Sequence, residues 1–166
     1  DNLDKCRYLF FRSVTLVAVY ATPFYIGLLW LAEPLIRGVY GPKWVDAAAP
    51  LFILVFAWPF WLMENLSGAV LAAKNWLGRE VFVQTSTLAI TSLAILIGLS
   101  NGIEGVAYAI VGASIYSALY MYRLVGRCLD TRWSDYARAL IPAATLNAIL
   151  ASVLFLMDQL LPDNIQ

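Results

Sequence analysis

The 166-residue chain contains no histidine and only two cysteines, and charged residues make up just 13% of it. Without histidine or clustered cysteines, a soft-metal site of the zinc kind has no ligands to draw on, so neither a metal nor a cofactor is expected. Cys6 and Cys128 stand beside Lys5, Arg7 and Arg127 at the ends of apolar stretches, which reads as free thiols and not as a disulfide framework. The formal net charge is zero. That balance leaves no large basic surface and excludes nucleic acid as a partner. Also missing are a nucleophilic serine elbow, a phosphate-cradling glycine loop and a pair of carboxylates at helix spacing. No catalytic residue is therefore assigned, and enzymatic chemistry in this segment is not expected. The chain opens Asp1-Asn2-Leu3-Asp4, with no initiator methionine and no signal-peptide order, as a fragment of a longer protein would.

What is present is apolar. Hydrophobic residues make up 61% of the chain, far above the roughly 45–50% of soluble domains. They gather into five stretches, at about 14–36, 48–73, 81–99, 103–122 and 140–161. A helix rises about 1.5 Å per residue, so roughly 20 residues cross a hydrocarbon core of about 30 Å, and each stretch is long enough to cross once. The fold class predicted is all-α: a polytopic helix bundle in the lipid bilayer, residues 1–166 forming one transmembrane module. Pro23, Pro59 and Pro142 fall inside stretches, where a membrane helix tolerates them as kinks.

Nine of the eleven Lys and Arg residues lie in alternate gaps: Lys5, Arg7 and Arg12; Lys74 and Arg79; Arg123, Arg127, Arg132 and Arg138. Only Arg37 and Lys43 occupy the others. Lys and Arg in short loops set orientation, which places the N-terminus of this segment in the cytoplasm and, after five crossings, Leu161-Pro162-Asp163-Asn164 outside. Trp30, Tyr40 and Trp44 then fall at the outer boundary and Tyr8, Trp76, Tyr122 and Trp133 at the inner one, as aromatic belts do.

Small residues recur along single helix faces: Gly105, Ala109, Ala113 and Ser117; Thr87, Thr91, Ala94 and Gly98; Ala144, Ala148 and Ser152. In lipid such faces permit close helix approach, so each is expected to meet a partner helix. One acid, Glu64, lies well inside a stretch, where an ionised side chain costs on the order of 2.5–3.5 kcal/mol to insert. Trp58, Trp61, Asn65 and Gly68 share overlapping faces with it. Trp58, Trp61, Glu64 and Asn65 are therefore the candidates for lining a solvated cavity that touches sugar rings or exchanges an ion; a protonated or paired Glu64 among packing tryptophans is the plainer alternative. Gln84, Asn147 and Asp158 read as polar positions near helix ends or interfaces.

The outer loop Pro34-Leu35-Ile36-Arg37-Gly38-Val39-Tyr40-Gly41-Pro42-Lys43-Trp44 and the following Ala47-Ala48-Ala49-Pro50-Leu51 resemble the loop of the polysaccharide and lipid-linked oligosaccharide flippases of the MOP exporter superfamily. Leu71-Ala72-Ala73 through Gly78-Arg79, and Gly102-Ile103-Glu104-Gly105-Val106-Ala107, resemble two later segments of that family in the same order. Val39-Tyr40 departs from the commoner Leu-Phe. Gly41, Lys43 and Trp44 carry the loop motif; Gly41 permits a turn before Pro42, and Gly102 with Gly105 permits a tight helix entry.

The resemblance implies two six-helix lobes rocking about a central cavity, of which this chain would be most of the second. It further implies a bacterial inner-membrane transporter that flips undecaprenyl-diphosphate-linked oligosaccharide repeat units for surface polysaccharide export, with the lipid-linked oligosaccharide and a missing N-terminal lobe as partners. No basic residue sits mid-stretch, so groups for the diphosphate would come from that other lobe. A drug or cation antiporter of the same superfamily is the alternative; a membrane glycan polymerase or ligase is less favoured, because its outer loop would need to be larger.

Overall fold

Helix α1 runs unbroken from Asn2–Tyr40, carrying the basic N-terminal residues and both Pro23 and Pro34 on one rod of 39 residues. The computed structural model describes residues 2–160, and side chains within 3–157 together with Gln159. The expected exit of Leu161-Pro162-Asp163-Asn164 lies outside the described residues, as does the side chain of Asp158. Among the described residues every regular element is helical: α2 (Ala48–Val55), α3 (Trp58–Ala73), α4 (Leu77–Gly98), α5 (Gly102–Leu129) and α6 (Trp133–Leu160), with 3₁₀ turns at Pro42–Ala47 and Leu99–Asn101. The all-α bundle expected from the hydrophobic pattern is what forms.

Gly41 stops α1. Its φ of 88° lies where an L side chain is strained, and Pro42 then opens the 3₁₀ turn. The second apolar stretch is not one kinked helix but two, bent by 52° between the 3₁₀ turn with α2 and α3. The cause is local. Pro59 has no N–H to give the Val55 carbonyl, while the Phe56 and Ala57 amides reach back only three residues, to Ile53 and Leu54 at 3.1 and 3.0 Å. Pro59 is instead accommodated in the first turn of α3, where the missing donor is not needed.

By length and composition three helical stretches could cross a membrane, Leu3–Tyr40, Leu77–Leu129 and Trp133–Met157, with the bent pair as a fourth. The 53 residues of Leu77–Leu129 nevertheless fold back on themselves at the turn after Gly98. A Cβ on Gly98 would stand 2.5 Å from the Gly105 carbonyl oxygen. Farther from the turn, the Tyr116 hydroxyl lies 3.5 Å from Ser86 Oγ, and the Phe82 and Tyr120 rings lie 6.4 Å apart. Pairs that move outward in step on both sides of a turn define an antiparallel hairpin, so α4 and α5 are separate rods.

Helices α1 and α6 run the same way. Phe11 meets Tyr136 at 4.9 Å between rings, Thr15 Oγ1 donates to the Ala139 carbonyl at 2.9 Å, and Ala18 packs with Ala143. The main core, with Phe10, Val14, Leu71, Val83, Met121, Val125 and Leu129, joins α1, α3, α4 and α5. Leu88, Leu93, Leu96, Ile97, Ile141 and Ile149 stay exposed on the outside, a surface suited to lipid and not to water. The chain is a multi-pass membrane protein.

The basic residues collect at one end. Arg7 donates to the Leu129 carbonyl at 2.7 Å and the Asp130 carbonyl at 2.9 Å, completing the C-terminus of α5, and Arg79 covers the Trp76 ring at 3.9 Å. At the opposite end Arg37 pairs with Glu33 at 2.8 Å, and Lys43 is exposed.

Two expectations change. Tyr122 is buried and stacks on Trp133 at 3.7 Å, a packing role in place of a belt position. Ala144, Ala148 and Ser152 are exposed among the described residues, whereas Ala113 and Ser117 are buried.

Candidate functional site

Helix α3 separates two grooves of opposite character. On one side Glu64, Asn65, Gly68 and Ala69 face Glu80 and Gln84 of α4 across a polar groove of about 370 Å³. Gln84 Nε2 donates to Glu64 Oε1 at 3.0 Å. A Cβ at Gly68 would lie 2.7 Å from Glu80 Oε1, so that carboxylate rests against the bare backbone of α3 and would have to swing aside for a side chain there. Two carboxylates, two amides and bare backbone thus share one concavity, a donor and acceptor set suited to hydroxyl-rich or cationic groups.

On the other side lies an apolar groove of about 460 Å³ between α1, the α2–α3 break, α5 and α6. Trp58 lines it, 4.6 Å from the Tyr25 ring, with Phe56, Pro59 and Phe60 of the break forming part of the wall. The apolar spacing of Ala18, Thr22, Tyr25, Ile26 and Leu29 puts one face of α1 along the groove.

The four cavity candidates are therefore divided. Glu64 and Asn65 line the polar groove, Trp58 lines the apolar one, and Trp61 is exposed and lines neither. Asn65 Nδ2 donates to the Trp61 carbonyl at 2.8 Å, leaving its oxygen to the groove side. Glu64 is half-buried and hydrogen-bonded, not isolated. Gly41, Lys43 and Trp44 stand together at the far end of the bundle: the Trp44 amide donates to the Gly41 carbonyl at 3.1 Å and the indole is exposed. Asn147, expected near a helix end or interface, is buried in mid-helix and lines the apolar groove.

Glu80 escaped the sequence reading, and Gln84 was placed only near a helix end or interface. The signal for both was the short link Lys74–Trp76. A turn that brief makes α3 and α4 antiparallel neighbours, and positions equally far from Lys74, such as Glu64 with Gln84 and Gly68 with Glu80, then face each other. Among the described residues no group of three or more metal-binding side chains occurs.

Residues 1–49 match the model of a family described as polysaccharide biosynthesis protein. The chain is similar there to polysaccharide biosynthesis proteins. It is 22% identical over 147 residues, 88% of its length, to the teichuronic acid biosynthesis protein TuaB of Bacillus subtilis (strain 168). It spans 30% of the length of that relative. No solved structure gives a comparable match. This similarity to polysaccharide biosynthesis proteins agrees with the flippase-family resemblance drawn from the Gly41–Trp44 loop.

Proposed function

We propose that this chain is most of one lobe of a transporter that flips lipid-linked oligosaccharide repeat units, carried on undecaprenyl diphosphate, across the bacterial inner membrane by alternating access. The observation that carries the reading is the two-sidedness of α3, with Glu64, Asn65 and Gln84 on a polar groove and Trp58 on an apolar one. A cargo with a sugar head and a lipid tail needs both surfaces side by side. The amides and carboxylates would exchange hydrogen bonds with sugar hydroxyls while the tail stays in the bilayer. A second lobe, on the N-terminal side of the full protein, supplies the opposing wall and the basic groups for the diphosphate. In this reading the five apolar stretches cross five times, with the N-terminus of the segment cytoplasmic and the Gly41–Trp44 loop outside.

The test is vesicle reconstitution of the full-length protein with fluorescent lipid-linked glycan. Flipping well above that of protein-free vesicles is expected; equal rates sink the proposal.

A second reading, a drug or cation antiporter, draws on the two carboxylates Glu64 and Glu80 that share the polar groove. Under it Glu64→Gln abolishes ion-coupled efflux, and unchanged drug resistance in cells carrying the variant counts against it. The flippase reading instead expects Glu64→Gln, which keeps the hydrogen-bonding shape, to retain glycan flipping within about tenfold.

A further inference from the structure

The end of the bundle where the basic residues collect carries another concavity, an open groove of about 500 Å³ along the seam between α1 and α6. Arg7, Arg12 and Arg138 line it together with Asp4 and Asp135. The two acids are already engaged. Asp4 lies 3.9 Å from Arg7, whose guanidinium also holds the Leu129 and Asp130 carbonyls, and Asp135 Oδ2 accepts the Arg132 amide at 2.9 Å at the start of α6. Arg12 and Arg138 are both exposed, and among the described residues neither forms an ion pair. The groove thus keeps two accessible guanidinium groups whose charge no carboxylate answers.

The two groups stand at one depth. Phe11 lies beside Tyr136 and Thr15 beside Ala139, so Arg12 and Arg138 fall within about one helical turn of the same level on neighbouring rods. Arg12 donates to the exposed Tyr8 hydroxyl at 2.6 Å, and because the phenol oxygen accepts there, its own proton is left to give. Two cationic donors and one neutral donor suit an anionic oxygen group such as a phosphodiester. Farther along the same stripe the surface turns apolar: Leu16 and Tyr20 follow Tyr8 and Arg12 at four-residue steps on α1, Ile141 follows Arg138 on α6, and all three are exposed. A soluble phosphate would use only the charged part of this stripe. A phosphate with hydrocarbon tails below it uses the whole.

We propose that the α1–α6 seam binds an anionic phospholipid of the surrounding bilayer, its phosphodiester held by Arg12, Arg138 and the Tyr8 hydroxyl and its tails lying against Leu16, Tyr20 and Ile141. This site does not depend on the glycan-flipping reading.

The test uses the full-length protein in phosphatidylcholine nanodiscs doped with one of two probes, a phosphatidylglycerol or a phosphatidylcholine with the same tails, each carrying a diazirine near the glycerol end of one tail. After photolysis, labelled peptides are mapped by mass spectrometry over a series of probe levels. Saturable labelling around Arg12–Leu16 and Arg138–Ile141 is expected, about five- to tenfold stronger for phosphatidylglycerol than for phosphatidylcholine. Arg12→Gln with Arg138→Gln should bring phosphatidylglycerol down to the phosphatidylcholine level. Arg123→Gln with Arg127→Gln, exposed residues at the same end, should leave it within about twofold of the native protein. Equal labelling of the native protein by the two lipids overturns the proposal, and so does an equal loss in both double variants, which would mean attraction by overall charge. Removal of the signal by millimolar glycerol phosphate would assign the seam to soluble phosphates and also overturns it. The native comparison decides even where a variant fails to fold. Glycan flipping is read in a separate vesicle assay, so either idea can fail alone.

Discussion

Gly105 and Gly112 share helix α5 and differ only in what surrounds them. A Cβ at Gly105 would meet the Gly98 carbonyl and the Asn101 side chain, whereas at Gly112 it would meet nothing within 4 Å. Gly105→Ala should therefore lower stability by about 1–3 kcal/mol through overpacking of the hairpin turn. Gly112→Ala should be neutral or stabilising by about 0.5–1 kcal/mol. Thermal unfolding of the full-length protein in detergent measures both; equal shifts would mean that the close approach of α4 and α5 is not what Gly105 is for. The close approach was legible in the sequence, because small residues four apart have few other uses in lipid. The division of Trp58 from Glu64 was not. Helical spacing places residues on overlapping faces, but which face meets which neighbour is settled by the packing of α1 and α4 on either side of α3.

At the scale of elements, the bend between α2 and α3 follows from one residue's lost donor. Pro59→Ala restores an N–H for the Val55 carbonyl and should let the two pieces straighten toward one helix. Spin labels at the exposed positions Ala49 and Ala69, read by pulsed dipolar spectroscopy, should then move apart by roughly 3 Å, given the rise per residue and the 52° bend. An unchanged distance would mean that the surrounding helices impose the bend and Pro59 merely accepts it. Pro59 was visible in the sequence but its outcome was not, since a proline in a membrane helix can leave a continuous rod, as Pro23 and Pro142 do. What separates the cases is the pair Phe56 and Ala57, whose amides turn back three residues.

For the whole molecule, the segregation of charge predicts sidedness. In a full-length background whose native cysteines are replaced, a cysteine at Lys43 should react with a membrane-impermeant maleimide added to the outside of intact cells, and one at Arg132 should react only after permeabilisation. The opposite pattern would invert the orientation. The all-helical, membrane-suited character of the chain was readable because a bilayer imposes long apolar stretches on the sequence directly. The parallel meeting of α1 and α6 was not readable, because no local signal joins residues so far apart.

That meeting also sets an order of assembly. Thr15 and Ala139 are 124 residues apart, and a ribosome adding about 5–20 residues each second needs roughly 6–25 s to pass from one to the other. Throughout that interval the side of α1 that carries Thr15 lacks its α6 neighbour. Helix α1 waits for α6, so a nascent chain stalled between them keeps an unsealed seam for the cell's insertion and quality-control machinery to find.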